Sequence, residues 1–170
     1  VAMWGLRGAP AQVSSLPSEF RATLSPQQVQ LYDLLTRLER NDNDQDARLD
    51  LAILYYDLRD QTGNIEFASK AIKHYERYLK ANPEDVNARA DYATVLYYAG
   101  QTDPAIQQAS LVLQQEPDHV KANYNLGVFY LKGRGDLLSA LAQFRKVEAL
   151  TRVGDQVTLG INTEAKRFIK

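Results

Sequence analysis

The segment Ala47-Arg48-Leu49-Asp50-Leu51-Ala52-Ile53-Leu54-Tyr55-Tyr56 returns as Ala88-Arg89-Ala90-Asp91-Tyr92-Ala93-Thr94-Val95-Leu96-Tyr97, and a looser third copy runs from Ala122 to Leu131. The second and third copies lie 34 residues apart, and Pro83 and Pro117 are separated by the same interval. A period of this length predicts helical hairpins stacked on one another, an all-α solenoid. One hairpin cannot bury its apolar faces alone, so successive units stack and leave an open surface along one side. Such a surface suits binding better than it suits a reaction centre.

Composition narrows the partners. With 170 residues, 45% of them hydrophobic, the chain is long enough to bury a core, and a formal charge of -1 gives no basis for nucleic acid or an anionic membrane surface. The absence of cysteine removes disulfides, thiolate catalysis and sulfur-based zinc sites. No stretch reaches the roughly 20 apolar residues needed to cross a bilayer. The opening Val1-Ala2-Met3-Trp4-Gly5-Leu6-Arg7 reads either as an arbitrary starting point or as the tail of a removed membrane helix, since an apolar run ending in Trp and Arg suits a bilayer interface. From there to residue 24 the prolines and small polar residues predict an extended linker.

The helices can be placed from their ends. Ser25-Pro26-Gln27-Gln28 carries a cap, a first-position proline and the glutamine of a capping box, which starts a half-unit over residues 25–42. Repeats are expected at about 45–83, 86–117 and 120–152. In the first, the partner helix starts later than in the others by seven residues, nearly two turns, which predicts an elongated hairpin with its apolar face in register. Asp103-Pro104 reads as a cap followed by a first-turn proline, giving helices near 85–99 and 103–115. The third unit is expected to turn at Gly133-Arg134-Gly135, with Asp136 as the cap. Val157, Ile161, Ala165, Phe168 and Ile169 form one face of a terminal cap helix over 155–170.

These residues resemble the tetratricopeptide repeat family. Its small first-helix residue is matched by Ala52, Ala93 and Gly127, and the small residue facing it by Ala71, Ala105 and Ala140. The family's aromatic on the second helix is represented by Tyr75 and Phe144, with Ala109 in the middle unit. Its first-helix tryptophan is replaced by Arg48, Arg89 and Asn123, and the closing proline of the third unit by Arg152. The resemblance covers about residues 45–152 and implies a right-handed superhelix of antiparallel helix pairs that binds a peptide on its concave side.

Helical spacing picks out that side, because positions 52 and 55 and their equivalents point to the partner helix. The opposite face comprises Asp46, Asp50, Ile53 and Asp57, flanked by Leu49 and Tyr56; then Asn87, Asp91, Thr94 and Tyr98, flanked by Ala90 and Tyr97; then Lys121, Asn125, Val128 and Lys132, flanked by Tyr124 and Leu131. Read in order it is acidic, then tyrosine-rich, then basic, which suggests a ligand with basic residues toward the first unit and acidic ones toward the third. Tyr97 and Tyr98 either contact such a ligand or fill space between hairpins, whereas Tyr55, Tyr75 and Tyr130 are expected in the core. Asp46 is expected as a cap or solvated charge. Family members that clamp acidic chaperone tails use Lys, Arg and Asn at positions that here read Leu49, Ile53, Asp91, Lys121 and Asn125. Asp91 opposes that chemistry, so a chaperone-tail adaptor is not expected.

No catalytic constellation emerges. Asp42-Asn43-Asp44-Gln45-Asp46 imitates a calcium loop, but Ala47 replaces its glycine and Ile53 its bidentate glutamate. His74 and His119 fall in different units, and Gly133-Arg134-Gly135 lacks the spacing and the lysine of a phosphate loop. The expectation is a non-enzymatic scaffold or adaptor for a protein or peptide, without cofactor, metal, nucleic acid or small-molecule substrate. Two alternatives accompany it. One is a self-assembling module whose segment 8–24 occupies a neighbour's groove. The other is an assembly factor held to a membrane through an anchor upstream of Val1, similar to the repeat subunits of bacterial cytochrome c maturation.

Overall fold

The computed structural model describes residues 18–151 together with Thr163, Arg167 and Phe168. Of the expected linker only residues 18–24 are described, and there Ser18–Arg21 forms a single helical turn, α1, in place of extended chain; of the expected cap helix only Thr163, Arg167 and Phe168 are described. Among the described residues there is no strand, and the chain divides into two units between Ala81 and Asn82.

The first unit holds α2 (Pro26–Arg40), α3 (Gln45–Thr62) and α4 (Ile65–Ala81). Both arms of the Ser25 capping box form: the hydroxyl accepts from Gln28 N–H, and the Gln28 side chain accepts from Ser25 N–H at 2.8 Å. Asp44 caps α3 by accepting from Ala47 N–H at 2.9 Å and also receives a two-pronged bond from Arg37. Those contacts hold its carboxyl below the usual range, led by the Ala47 N–H. Helices α3 and α4 run 18 and 17 residues, against 13 and 14 in the next pair, so the seven extra residues do lengthen the hairpin.

The second unit holds α5 (Val86–Tyr98), α6 (Thr102–Gln115), α7 (Val120–Val128) and α8 (Leu137–Leu150). Asp85 caps α5, His119 caps α7 through Nδ1, and Asp136 caps α8. Asp103 does not cap α6. The helix enters from Gln101 without a side-chain cap, and the Asp103 carboxylate is taken instead by Arg134, at 2.8 and 2.9 Å. The third turn also differs from expectation. Beyond α7 the chain winds as a π-helical segment over Phe129–Arg134 and turns at Gly135, which has φ 69°. Seven residues separate Ala93 from the left-handed Gly100, but eight separate Gly127 from Gly135. The π-turn, with its wider i→i+5 bonding, absorbs that single extra residue.

Small residues close each hairpin. Ala52 and Ala71, Ala93 and Ala105, and Gly127 and Ala140 are all buried. At Gly127 the fit is tightest, since a Cβ there would stand 2.7 Å from the Phe144 ring. Tyr55 and Tyr75 are buried core residues, while Tyr130 is half-buried against the Ala140, Phe144 and Val147 cluster. Phe168, from the expected cap helix, stacks on Phe144 at 4.9 Å.

Candidate protein-binding faces

The first-helix faces separate into rows with different fates. On α5, Ala90, Thr94 and Tyr97 look toward α7: Ala90 packs with Ala122 and Val112, Thr94 Oγ1 accepts from Asn125 Nδ2 at 2.9 Å, and Tyr97 stacks on Phe129 at 4.7 Å. The equivalent residues of α7 and its π-turn, Tyr124, Val128 and Leu131, pack on the Ala140, Phe144 and Val147 cluster beside Phe168. Tyr97 therefore fills space between hairpins, whereas Tyr124 and Val128 pack on α8, the partner helix of their own hairpin.

A second row lies further out. Asn87 meets His119 Nε2 at 3.2 Å, and Asp91 pairs with Lys121. With His119 Nδ1 accepting from Ala122 N–H at 3.1 Å, the neutral ring presents Nε2–H as a donor to the Asn87 carbonyl oxygen. The Asn87, Asp91 and Thr94 side chains are thus each held by a partner on α7 or its cap, His119. Tyr98 stands beside them, 39% exposed, its ring 5.7 Å from that of Tyr97. Lys132, also exposed, lies over the Phe168 ring. On α3 of the first unit Asp50 and Asp57 are exposed, Ile53 is 37% exposed and Tyr56 is half-buried. The acidic character expected of that face is present, but the basic character expected of α7 is reduced, because Lys121 is engaged with Asp91.

A repeated device went unread in the sequence. Arg48, Arg89 and Asn123, which stand where the family has tryptophan, each donate to the backbone carbonyl six residues earlier: Asp42, Pro83 at 2.6 Å and Pro117 at 3.0 Å. Each first helix thereby ties down the turn that leads into it. In the first unit Arg48 is almost fully buried and also reaches the Asp42 carboxylate at 2.9 Å, as Arg77 does from α4. The two guanidinium groups hold the Asp42 carboxyl below its usual range. The calcium-like acidic run is accordingly committed to caps and ion pairs at Asp42 and Asp44, and no group of metal-ligating side chains occurs among the described residues.

Residues 68–122 match the tetratricopeptide repeat family. That matched segment is tetratricopeptide-like in sequence. Among solved structures, the chain is similar in fold to a crystal structure of MamA protein at 14% identity, TM-score 0.60, over 83% of this chain and 77% of that one. It resembles a second crystal structure of MamA at 14% identity, TM-score 0.60, over 82% of each chain. A MamA RS-1 ArsTM double mutant aligns at 18% identity, TM-score 0.59, over 81% of this chain and 82% of that one. No curated protein matches by sequence. Tetratricopeptide arrays are protein-interaction scaffolds, typically non-enzymatic, and this repeat chain is of that general kind.

Proposed function

We propose that the second unit holds a peptide segment of a partner protein on the first-helix face of α5 and α7, and that in the first unit the acidic face of α3, with Asp50, Ile53, Tyr56 and Asp57, is a peptide-binding face in its own right. The observation that carries this reading is the row Asn87, Asp91 and Thr94, each side chain fixed by a cross-helix partner beside the exposed Tyr98. Side chains already ordered lose little entropy when a ligand arrives, and a tyrosine adds contact area at low rotamer cost. Lys121 and Asn125 belong to the same polar row, and Lys132 supplies its outer cation. Asp91 and Lys121 offset one another, so the α5 and α7 face selects little by charge, whereas the acids of α3 favour basic residues on their own face.

Peptide display on the intact chain tests the reading. Peptides selected for the α5 and α7 face should lose at least about tenfold in affinity, about 1.4 kcal/mol, against Tyr98→Ala with helicity unchanged. Peptides that bind Tyr98→Ala as well as they bind the parent would move recognition away from this face. Self-association is addressed by solution mass with and without residues 1–24: a number of chains per particle that does not change on deletion argues against exchange through that segment.

A further inference from the structure

The first unit contains a cleft of about 280 Å³ whose lining includes Asp42, Asn43, Gln45, Arg48, Arg77 and Lys80. It lies where the turn before α3 meets the end of α4, and it uses none of the residues of the preceding proposal. Three cations line it against one anion. Asp42 neutralises part of that charge by bridging Arg48 and Arg77, one oxygen to each. Lys80, one turn beyond Arg77 on α4, makes no ion pair among the described residues.

Two further observations give the cleft a chemical preference. The Gln45 side-chain oxygen is buried in the lining with no hydrogen-bond donor, so a ligand that offers an N–H there would satisfy a costly orphan. The positive field extends to His74, whose imidazole is pulled down to about 4 by burial and then by Arg48 and Arg77. A simple inorganic anion meets the cations and leaves Gln45 unsatisfied at neutral pH unless it carries a proton. A peptide carboxylate brings its own backbone N–H groups within reach of the same small volume.

We propose that this cleft binds an acidic peptide segment, its carboxylate held by Arg77 and Lys80 with Arg48 behind them and one of its backbone N–H groups donated to Gln45. The Asp42 carboxylate is then the internal competitor that an incoming carboxylate partly displaces. Guanidinium groups suit this exchange because their fork of donors can serve two carboxylates at once.

Isothermal titration of the full chain with N-acetylated tetraglutamate amide, with inorganic phosphate and tetralysine as parallel arms, decides the matter. Tetraglutamate should bind, tetralysine should not, and Arg77→Gln with Lys80→Gln should weaken tetraglutamate at least tenfold while leaving the helical circular dichroism intact. Asp42→Asn should tighten binding by removing the competitor; if that variant does not fold, the double glutamine variant still carries the test. Tyr98→Ala should bind tetraglutamate like the parent, which separates this cleft from the α5 and α7 face. Unchanged affinity in the double variant, or no binding by the parent at millimolar peptide, overturns the site, and phosphate binding as tightly as tetraglutamate overturns the peptide assignment.

Discussion

Gly127 approaches the Phe144 ring so closely that even a methyl group has to displace it. Alanine gains roughly 1 kcal/mol of helix propensity there, yet overpacking costs about 1–3 kcal/mol, so Gly127→Ala is expected to be destabilising by denaturant titration. With Phe144→Leu in the background the alanine should cost less, and equal costs in both backgrounds would sever the link to the ring. Arg48 offers a second expectation. Its bonds to the Asp42 carbonyl and carboxylate involve a charged donor, so Arg48→Leu should lose about 1.5–3 kcal/mol, measured the same way. His74 sets a pH dependence. Its imidazole falls to about 4 in the folded chain from an ordinary 6.5, so the unfolded chain takes up the proton first. Stability is therefore full above about pH 6.5 and declines as pH falls toward 4, whereas the lowered carboxyls of Asp42, Asp44 and Asp136 withdraw their support only below 3.8. His74→Gln should flatten the thermal-melt profile between pH 6.5 and 4; a slope equal to that of the parent would assign the effect to other groups.

At the scale of the element, caps show what a local signal can and cannot reveal. Ser25 and Asp136 act as read from sequence because their partners lie three residues away. Asp103 had the same local look, but its partner Arg134 lies 31 residues away, and no local pattern announces that. Asp136→Ala is accordingly expected to lower the melting temperature more than Asp103→Ala, since a cap satisfies a backbone donor while an exposed ion pair is worth little. The π-turn was legible as arithmetic, one residue too many between Gly127 and Ala140, though not as a geometry. Deleting Lys132 should convert Phe129–Arg134 to ordinary α-helix with cooperative unfolding preserved; loss of cooperativity would show that the widened turn is required. Hairpin closure was fully legible because it depends on side-chain size at fixed spacing. The division of the first-helix face into packed Tyr97, Tyr124 and Val128 and outward Tyr98 was not, since helical spacing names a face without saying what stacks on it.

Across the whole molecule, a chain of near-zero net charge groups its charged and polar side chains in small arrangements within each unit: the acids of α3 and the arginine-lined cleft in the first, and the held row on α5 and α7 in the second. Among the described residues no helix is long and apolar enough to cross a membrane. The replacement of the family's tryptophan by Arg48, Arg89 and Asn123 has a spectroscopic consequence as well. The one tryptophan of the chain is Trp4, and the ten tyrosines include Tyr55 and Tyr75 inside the first hairpin and Tyr97 stacked on Phe129. Light absorbed by tryptophan alone leaves α2 to α8 dark. The melting of the hairpins, and the binding proposed at Tyr98, are read directly in the tyrosine signal.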